Sequence, residues 1–71
     1  MSNWVITPED AGQIIVRSHA DCESGRIEHI FDQSDRSESY ALFPWTKSGN
    51  AARRGKKITA AKAHHLLEEQ S

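Results

Sequence analysis

The chain has 71 residues, of which 37% are hydrophobic, and a formal net charge of −1. A chain of this length makes one domain and buries only about 60% of its unfolded surface, which excludes a large enclosed core. The single cysteine excludes an intrachain disulfide framework and is typical of a reducing compartment.

Targeting signals are not expected. The first residues do not combine a basic segment with an apolar stretch, so no signal peptide is predicted. The longest uncharged apolar run, residues 40–45, falls far short of a membrane span. We therefore expect a cytoplasmic protein without membrane contact, whose thin core could be completed by a partner or by a homodimer.

Charge is distributed unevenly along the chain. Residues 1–45 hold eight acidic and three basic side chains, whereas residues 46–63 hold six basic side chains and no acidic one. The pattern predicts an acidic body, residues 1–45, followed by a basic segment.

Residues 1–45 read as an antiparallel β-meander. Segments rich in Ile, Val, Phe, Tyr and Trp alternate with turn-forming clusters at the short, regular intervals that such a meander requires. The predicted strands are residues 3–6, 13–19, 26–32 and 38–44.

Helices are alternatives for residues 8–19 and 26–32. Thr7 and Pro8 would start a helix well, as N-cap and first helical residue. We favour strands because Ile14, Ile15 and Val16 are all β-branched, and because Gly12 would weaken a helix by about 1 kcal/mol.

The segment 46–57 is predicted to be a basic, mobile loop. Pro44 ends the preceding strand because it cannot donate to a β-ladder. Residues 46–57 contain no large apolar side chain, so nothing in this segment predicts burial.

Residues 58–71 are predicted to form a C-terminal helix. Thr59 is suited to the N-cap. Ala60, Ala63, Leu66 and Leu67 would share one apolar stripe that can cover a sheet. The expected fold is therefore α+β: a small antiparallel three- to four-stranded β-meander with one C-terminal helix packed on the sheet.

The charges of this helix oppose its dipole. Lys56, Lys57 and Lys62 lie at the start, which carries partial positive charge, whereas Glu68 and Glu69 lie at the end. Either solvent screening removes this unfavourable charge–dipole interaction, or an external anion neutralises the positive charge at the helix start. The second interpretation predicts a nucleic-acid (DNA or RNA) contact surface formed by Arg53, Arg54, Lys56, Lys57 and Thr59, with Trp45 as a stacking platform.

The acidic body predicts an alternative function. Asp21, Glu23, Glu28 and Asp32 cluster around the middle hairpin and would suit a basic protein partner. Small regulators or inhibitors borne by phages and mobile elements have this size, so a host protein is the alternative partner, bound through the acidic hairpin or a sheet edge.

Catalytic and cofactor signatures are not found. Five residues rather than four separate Gly49 from Gly55, and Lys57 stands where a phosphate-binding loop needs Ser or Thr. His19 and Cys22 form only one ligand pair, where zinc sites combine two. We expect a non-enzymatic binding protein without cofactor or metal.

Overall fold

A computed structural model describes residues 4–7, 9 and 12–68 of the chain. In these ranges the chain forms five strands and one helix: β1 (Val5–Ile6), β2 (Ile15–Cys22), β3 (Gly25–Asp32), β4 (Ser37–Pro44), β5 (Lys56–Ile58) and α1 (Ala60–Glu68). All neighbouring strands are antiparallel and follow the order β1-β2-β3-β4-β5, which is a meander.

The α+β prediction is confirmed, but the predicted number of strands is too low. Strand β5 takes the last two residues of segment 46–57, which was predicted to be a loop, and Ile58, the first residue of the predicted helical segment. Lysine is depleted in strands, so the sequence Lys56-Lys57-Ile58 gives no strand signal. The strand forms because Leu42, Ala41 and Tyr40 of β4 provide a pairing edge for it.

Of the two segments with helical alternatives, residues 26–32 are strand throughout, whereas residues 8–19 are strand only from Ile15 onward, with a turn and bend at residues 12–14. Strand β2 covers residues 15–22 and β3 covers residues 25–32, each pairing with the other over its full length. Residue 3 of the first predicted strand, residues 8, 10 and 11 of the alternative helix, and residues 69–71 of the C-terminal segment lie outside the described residues.

Helix α1 begins as predicted. The Thr59 hydroxyl accepts a hydrogen bond from the backbone N–H of Lys62 at 3.1 Å, which is the N-cap geometry. The predicted apolar stripe faces the sheet, because Ala63 and Leu66 are buried while Ala60 and Leu67 pack against the core at its margin.

The core lies on one face of the sheet, which we call the inner face. The register aligns Ala20, Ile27 and Leu42 across three strands, and Ile27 is fully buried. The core cluster consists of Cys22, Ile27, Tyr40, Ala63 and Leu66. The opposite, outer face carries Ile15 and Ile30, which are exposed.

Gly25, the first residue of β3, allows β4 to approach closely next to the β2–β3 turn. A Cβ atom on Gly25 would lie 2.3 Å from the carbonyl oxygen of Phe43 and 2.8 Å from Cα of Pro44. Both contacts are with backbone, which cannot swing aside. Any other residue would push β4 away from the sheet at this point.

The helix covers only part of the inner face. Nine helical residues span about 13 Å, whereas the eight residues of β2, β3 or β4 span about 27 Å. The uncovered part forms an open cavity of about 510 Å³, which we call the groove.

Within the described residues, no helix could span a membrane.

Candidate nucleic-acid interface

A bulge in the edge of the sheet displays the two predicted arginines. Leu42 pairs with Lys56, and Trp45 bridges to Ala51. Between these pairs β4 contributes two residues, whereas the returning chain contributes four, residues 52–55. The surplus contains Arg53 and Arg54, which are both exposed. Bulges of this kind re-aim side chains at sheet edges.

Two contacts hold the bulge in place. On one side the backbone N–H of Ala52 donates to the carbonyl of Pro44 at 2.8 Å. On the other, the ring of Phe43 lies against Gly55 so closely that a Cβ there would be 2.8 Å from its Cε2. Gly55 therefore allows the aromatic ring to pack directly on the backbone of the basic segment.

The turn before the bulge is also ordered by hydrogen bonds. The backbone N–H of Thr46 donates to the carbonyl of Asn50 at 2.8 Å, and that of Gly49 donates to the carbonyl of Thr46 at 3.0 Å. The Thr46 hydroxyl adds a bond to Asn50 O at 2.9 Å. Residues 46–50 thus form a hydrogen-bonded turn within the segment predicted to be a loop.

Lys56 and Lys57 project from opposite sides of the edge strand. Lys56 aligns with Leu42 on the inner face, while Lys57 aligns with Ala41 and Glu28 on the outer face. We call Arg53, Arg54, Lys56 and Lys57 together the basic edge. All four side chains are exposed, and in the part of the chain that the structure describes none of them forms an ion pair.

Trp45 lies next to the basic edge and has a fixed orientation. Its Nε1–H donates to the backbone carbonyl of Cys22 at 2.8 Å, which ties the end of β4 to the end of β2. The residue is still 36% exposed. An anchored, partly exposed indole can receive a stacked base without first losing its own rotational freedom.

Thr59 has a structural role as the cap of α1. Its oxygen accepts the Lys62 N–H, so this N–H is already bonded within the helix start. The charge pattern along the helix is as predicted: no acidic residue lies in its first turn. The positive helix end therefore adds to the charge of Lys62 and the basic edge.

The predicted acidic surface lies mostly on the outer face and is partly neutralised by Arg26. Asp21, Glu28 and Asp32 share the outer face, while Glu23 lies in the β2–β3 turn. The carboxylate of Asp21 accepts a bond from Nε of Arg26 at 2.9 Å, and this bond raises the pKa of the arginine above its ordinary value.

The carboxylates of Asp32 and Asp35 accept hydrogen bonds within the β3–β4 turn. Oδ1 of Asp32 accepts bonds from the backbone N–H and the hydroxyl of Ser34, at 2.9 and 2.6 Å. Oδ1 of Asp35 accepts the backbone N–H of Ser37 at 2.9 Å, and hydrogen bonding from Ser37 lowers the pKa of this carboxyl. These acids close a turn, which accounts for part of the acidic composition.

The candidate metal ligands are separated. His19 lies on the outer face, whereas Cys22 is buried in the core on the inner face. In residues 4–7, 9 and 12–68, no three His, Cys, Asp or Glu side chains are grouped to hold a metal ion.

The groove was not identified from the sequence. It is lined chiefly by Trp4, Ile6, Val16, His29, Phe31 and Tyr40. Strand alternation places His29 and Phe31 on one face, which is a signal the sequence contains. Their exposure depends on the length of α1 and on the path of the residues around Trp4, which no local pattern indicates.

Comparison with known proteins gives no relative. No protein-family model matches the chain, and neither a curated protein nor a solved structure matches it. The functional argument therefore depends on the geometry of the described residues.

Proposed function

We propose that the protein binds nucleic acid through the basic edge, with the phosphate backbone running along strand β5 and the bulge before it. One observation carries this proposal: residues 52–55 lie opposite only two residues of β4. The resulting bulge displays Arg53 and Arg54 beside Lys56 and Lys57. Exposed cations on a defined edge are the ligands that phosphate oxygens prefer.

The alternating lysines determine how a ligand would lie. Because Lys56 and Lys57 project to opposite sides of the sheet, a strand following the edge meets both, whereas a ligand lying flat on either face meets one. Trp45 then stands at the end of the track, where an unpaired base can stack on the indole. This arrangement favours a single strand of DNA or RNA over a duplex.

A salt titration tests the phosphate contacts. We expect the affinity for a labelled single-stranded oligonucleotide to fall steeply as salt rises, and each lost phosphate contact to reduce the log–log slope by about 0.7. Arg53→Ala and Arg54→Ala should each reduce the slope by this amount. No measurable binding at about 50 mM salt, where such contacts are strong, would refute the proposal.

Arg36→Asn is the matched control for charge. It removes one positive charge at the opposite end of the sheet, in the β3–β4 turn, where Arg36 has a φ of 59° that Asn tolerates. It should leave the salt slope unchanged. An equal effect of Arg36→Asn and Arg53→Ala would mean that only net charge matters, which contradicts a specific edge.

Substitution of Trp45 separates stacking from charge. Trp45→Leu should weaken single-strand binding by about tenfold, within the range of one stacked base, while the salt slope stays the same. The variant also loses the bond to Cys22 O, so its unfolding must be measured alongside. Unchanged single-strand affinity in a folded variant would remove Trp45 from the site.

Protein binding is a second candidate function, because the outer face combines exposed apolar and acidic side chains. Val5, Ile15 and Ile30 are 52%, 46% and 41% exposed there, beside Glu28 and Asp32. A phage- or mobile-element-type regulator or inhibitor that binds a basic host protein would use such a face. The double reversal Glu28→Lys/Asp32→Lys should release an identified partner, and retention of that partner would exclude this face.

A further inference from the structure

The groove on the uncovered part of the inner face is an aromatic site distinct from the basic edge. The imidazole of His29 stacks on the ring of Tyr40, with centroids 4.6 Å apart and planes at 23°. The indole of Trp4 lies 5.8 Å from the ring of His29, and the ring of Phe31 lies 6.3 Å from it. Four rings thus meet on one side of the sheet, and three of them are adjacent to the same imidazole.

The formal charge at the groove is negative. None of the described residues that line the cavity is Lys or Arg. Glu38 aligns with Phe31 across β3 and β4, and its Oε2 lies 3.1 Å from Nε2 of His29. The charge of Glu38 acts inside the groove: together with burial, which is the larger cause, it raises the pKa of Tyr40.

Aromatic faces beside one carboxylate select for an organic cation. Ring quadrupoles attract positive charge, and the attraction strengthens as water is removed. A guanidinium suits this site better than an ammonium, because it is planar, is weakly hydrated and pairs with a carboxylate through a two-pronged fork. Oε2 of Glu38 accepts one bond from His29, so a forked pair would use Oε1 and the second lone pair of Oε2.

We propose that the groove binds an arginine side chain presented by a partner protein, with the guanidinium stacked on the aromatic rings and paired with the carboxylate of Glu38. The open cavity of about 510 Å³ also accommodates the residues that flank such an arginine. This site is independent of the proposed nucleic-acid function, because α1 packs on the part of the inner face that lies between the groove and the basic edge.

Titration with short capped peptides, followed by two-dimensional amide NMR, tests the proposal. The probe is Ac-Gly-Arg-Gly-NH₂, and the matched controls replace Arg by citrulline, which has the same shape without charge, or by Lys. We expect saturable shifts at Val16, His29, Phe31 and the Trp4 indole, with arginine bound at least about fivefold more tightly than citrulline and more tightly than lysine.

Variants test separately whether the charge of Glu38 and the aromatic rings contribute to arginine binding. Glu38→Gln should abolish the preference for arginine over citrulline, whereas Glu28→Gln, which removes the same charge from the outer face, should not. Phe31→Leu keeps an apolar side chain but removes a ring, and it should weaken arginine binding severalfold. If Glu38→Gln does not fold, arginine binding by Phe31→Leu is the test of the proposed site.

Four results would overturn the proposal. Binding of citrulline as tight as that of arginine would make the groove a neutral apolar site. Tighter binding of lysine than of arginine would remove the argument from planarity. Absence of shifts from the groove, or shifts that persist unchanged in both Glu38→Gln and Phe31→Leu, would place any binding elsewhere.

Discussion

The two parts of the inner face lie on the same strands but differ in what covers them. Under α1, Ala20, Cys22 and Ile27 are at most 4% exposed. Beyond the helix the same face continues through His29 and Phe31 into the open groove. The contrast shows that the helix, rather than the strands, decides which residues of this face become core.

The largest expected effect concerns the covered part. Ile27→Ala should lower the free energy of unfolding by about 3 kcal/mol, because it leaves a cavity at a fully buried site. Ile6→Ala, at a residue 53% exposed beside the groove, should cost less than about 1 kcal/mol. Urea unfolding measures both, and Ile27→Val provides a graded version at about 1 kcal/mol. Equal losses at the two sites would contradict the comparison.

Weakening the helix should affect the two parts unequally. Thr59→Ala removes the N-cap bond to Lys62 and should cost about 1 kcal/mol, while Thr59→Ser should retain most of it. In native-state hydrogen exchange, amides of α1 should lose protection before those of β2 and β3 beside the groove. Uniform loss of protection would show that the sheet has no stability apart from the helix.

Tyr40 lies at the boundary between the two parts and provides an alkaline test. Burial, followed by the charge of Glu38, raises its pKa above the ordinary value of 10.0. The unfolded state therefore loses its phenolic proton first, so stability should be fully present below pH 10 and fall as pH rises through the folded pKa. Tyr40→Phe should remove this part of the alkaline loss. Parallel curves for the two proteins between pH 9 and about 11 would show that Tyr40 does not contribute.

The smallest expected effect concerns the polar groups of the groove. Glu38→Gln should change the free energy of unfolding by only about 0.5 kcal/mol, because the pair with His29 is solvent-exposed. A small change would leave the carboxylate available for ligand binding without a structural role. A loss above about 2 kcal/mol would instead show that Glu38 is part of the fold.

Local sequence patterns were sufficient where one element determines the outcome. The N-cap at Thr59 and the stripe containing Ala63 and Leu66 are short-range features, and both are confirmed. The strands β2, β3 and β4 follow from β-branched and aromatic segments between turn clusters, with boundaries that differ by at most three residues from the prediction.

Features that depend on pairing were not accessible in this way. Strand β5 is extended because β4 has a free edge, which overrides the low strand propensity of Lys56 and Lys57. The bulge at Arg53 and Arg54 exists because two registers, Leu42 with Lys56 and Trp45 with Ala51, do not match. Neither register can be read from a segment alone.

The sequence by itself determined the α+β class, the capped helix and the separation of acidic from basic residues along the chain. These follow from local propensity, hydrophobic period and charge count. The tertiary structure alone decided that the basic segment is a bulged edge strand, that Asp21 and Asp32 bond within their own hairpins, and that an aromatic groove remains open. The reason is that registers and coverage depend on distances between elements that are far apart in the chain.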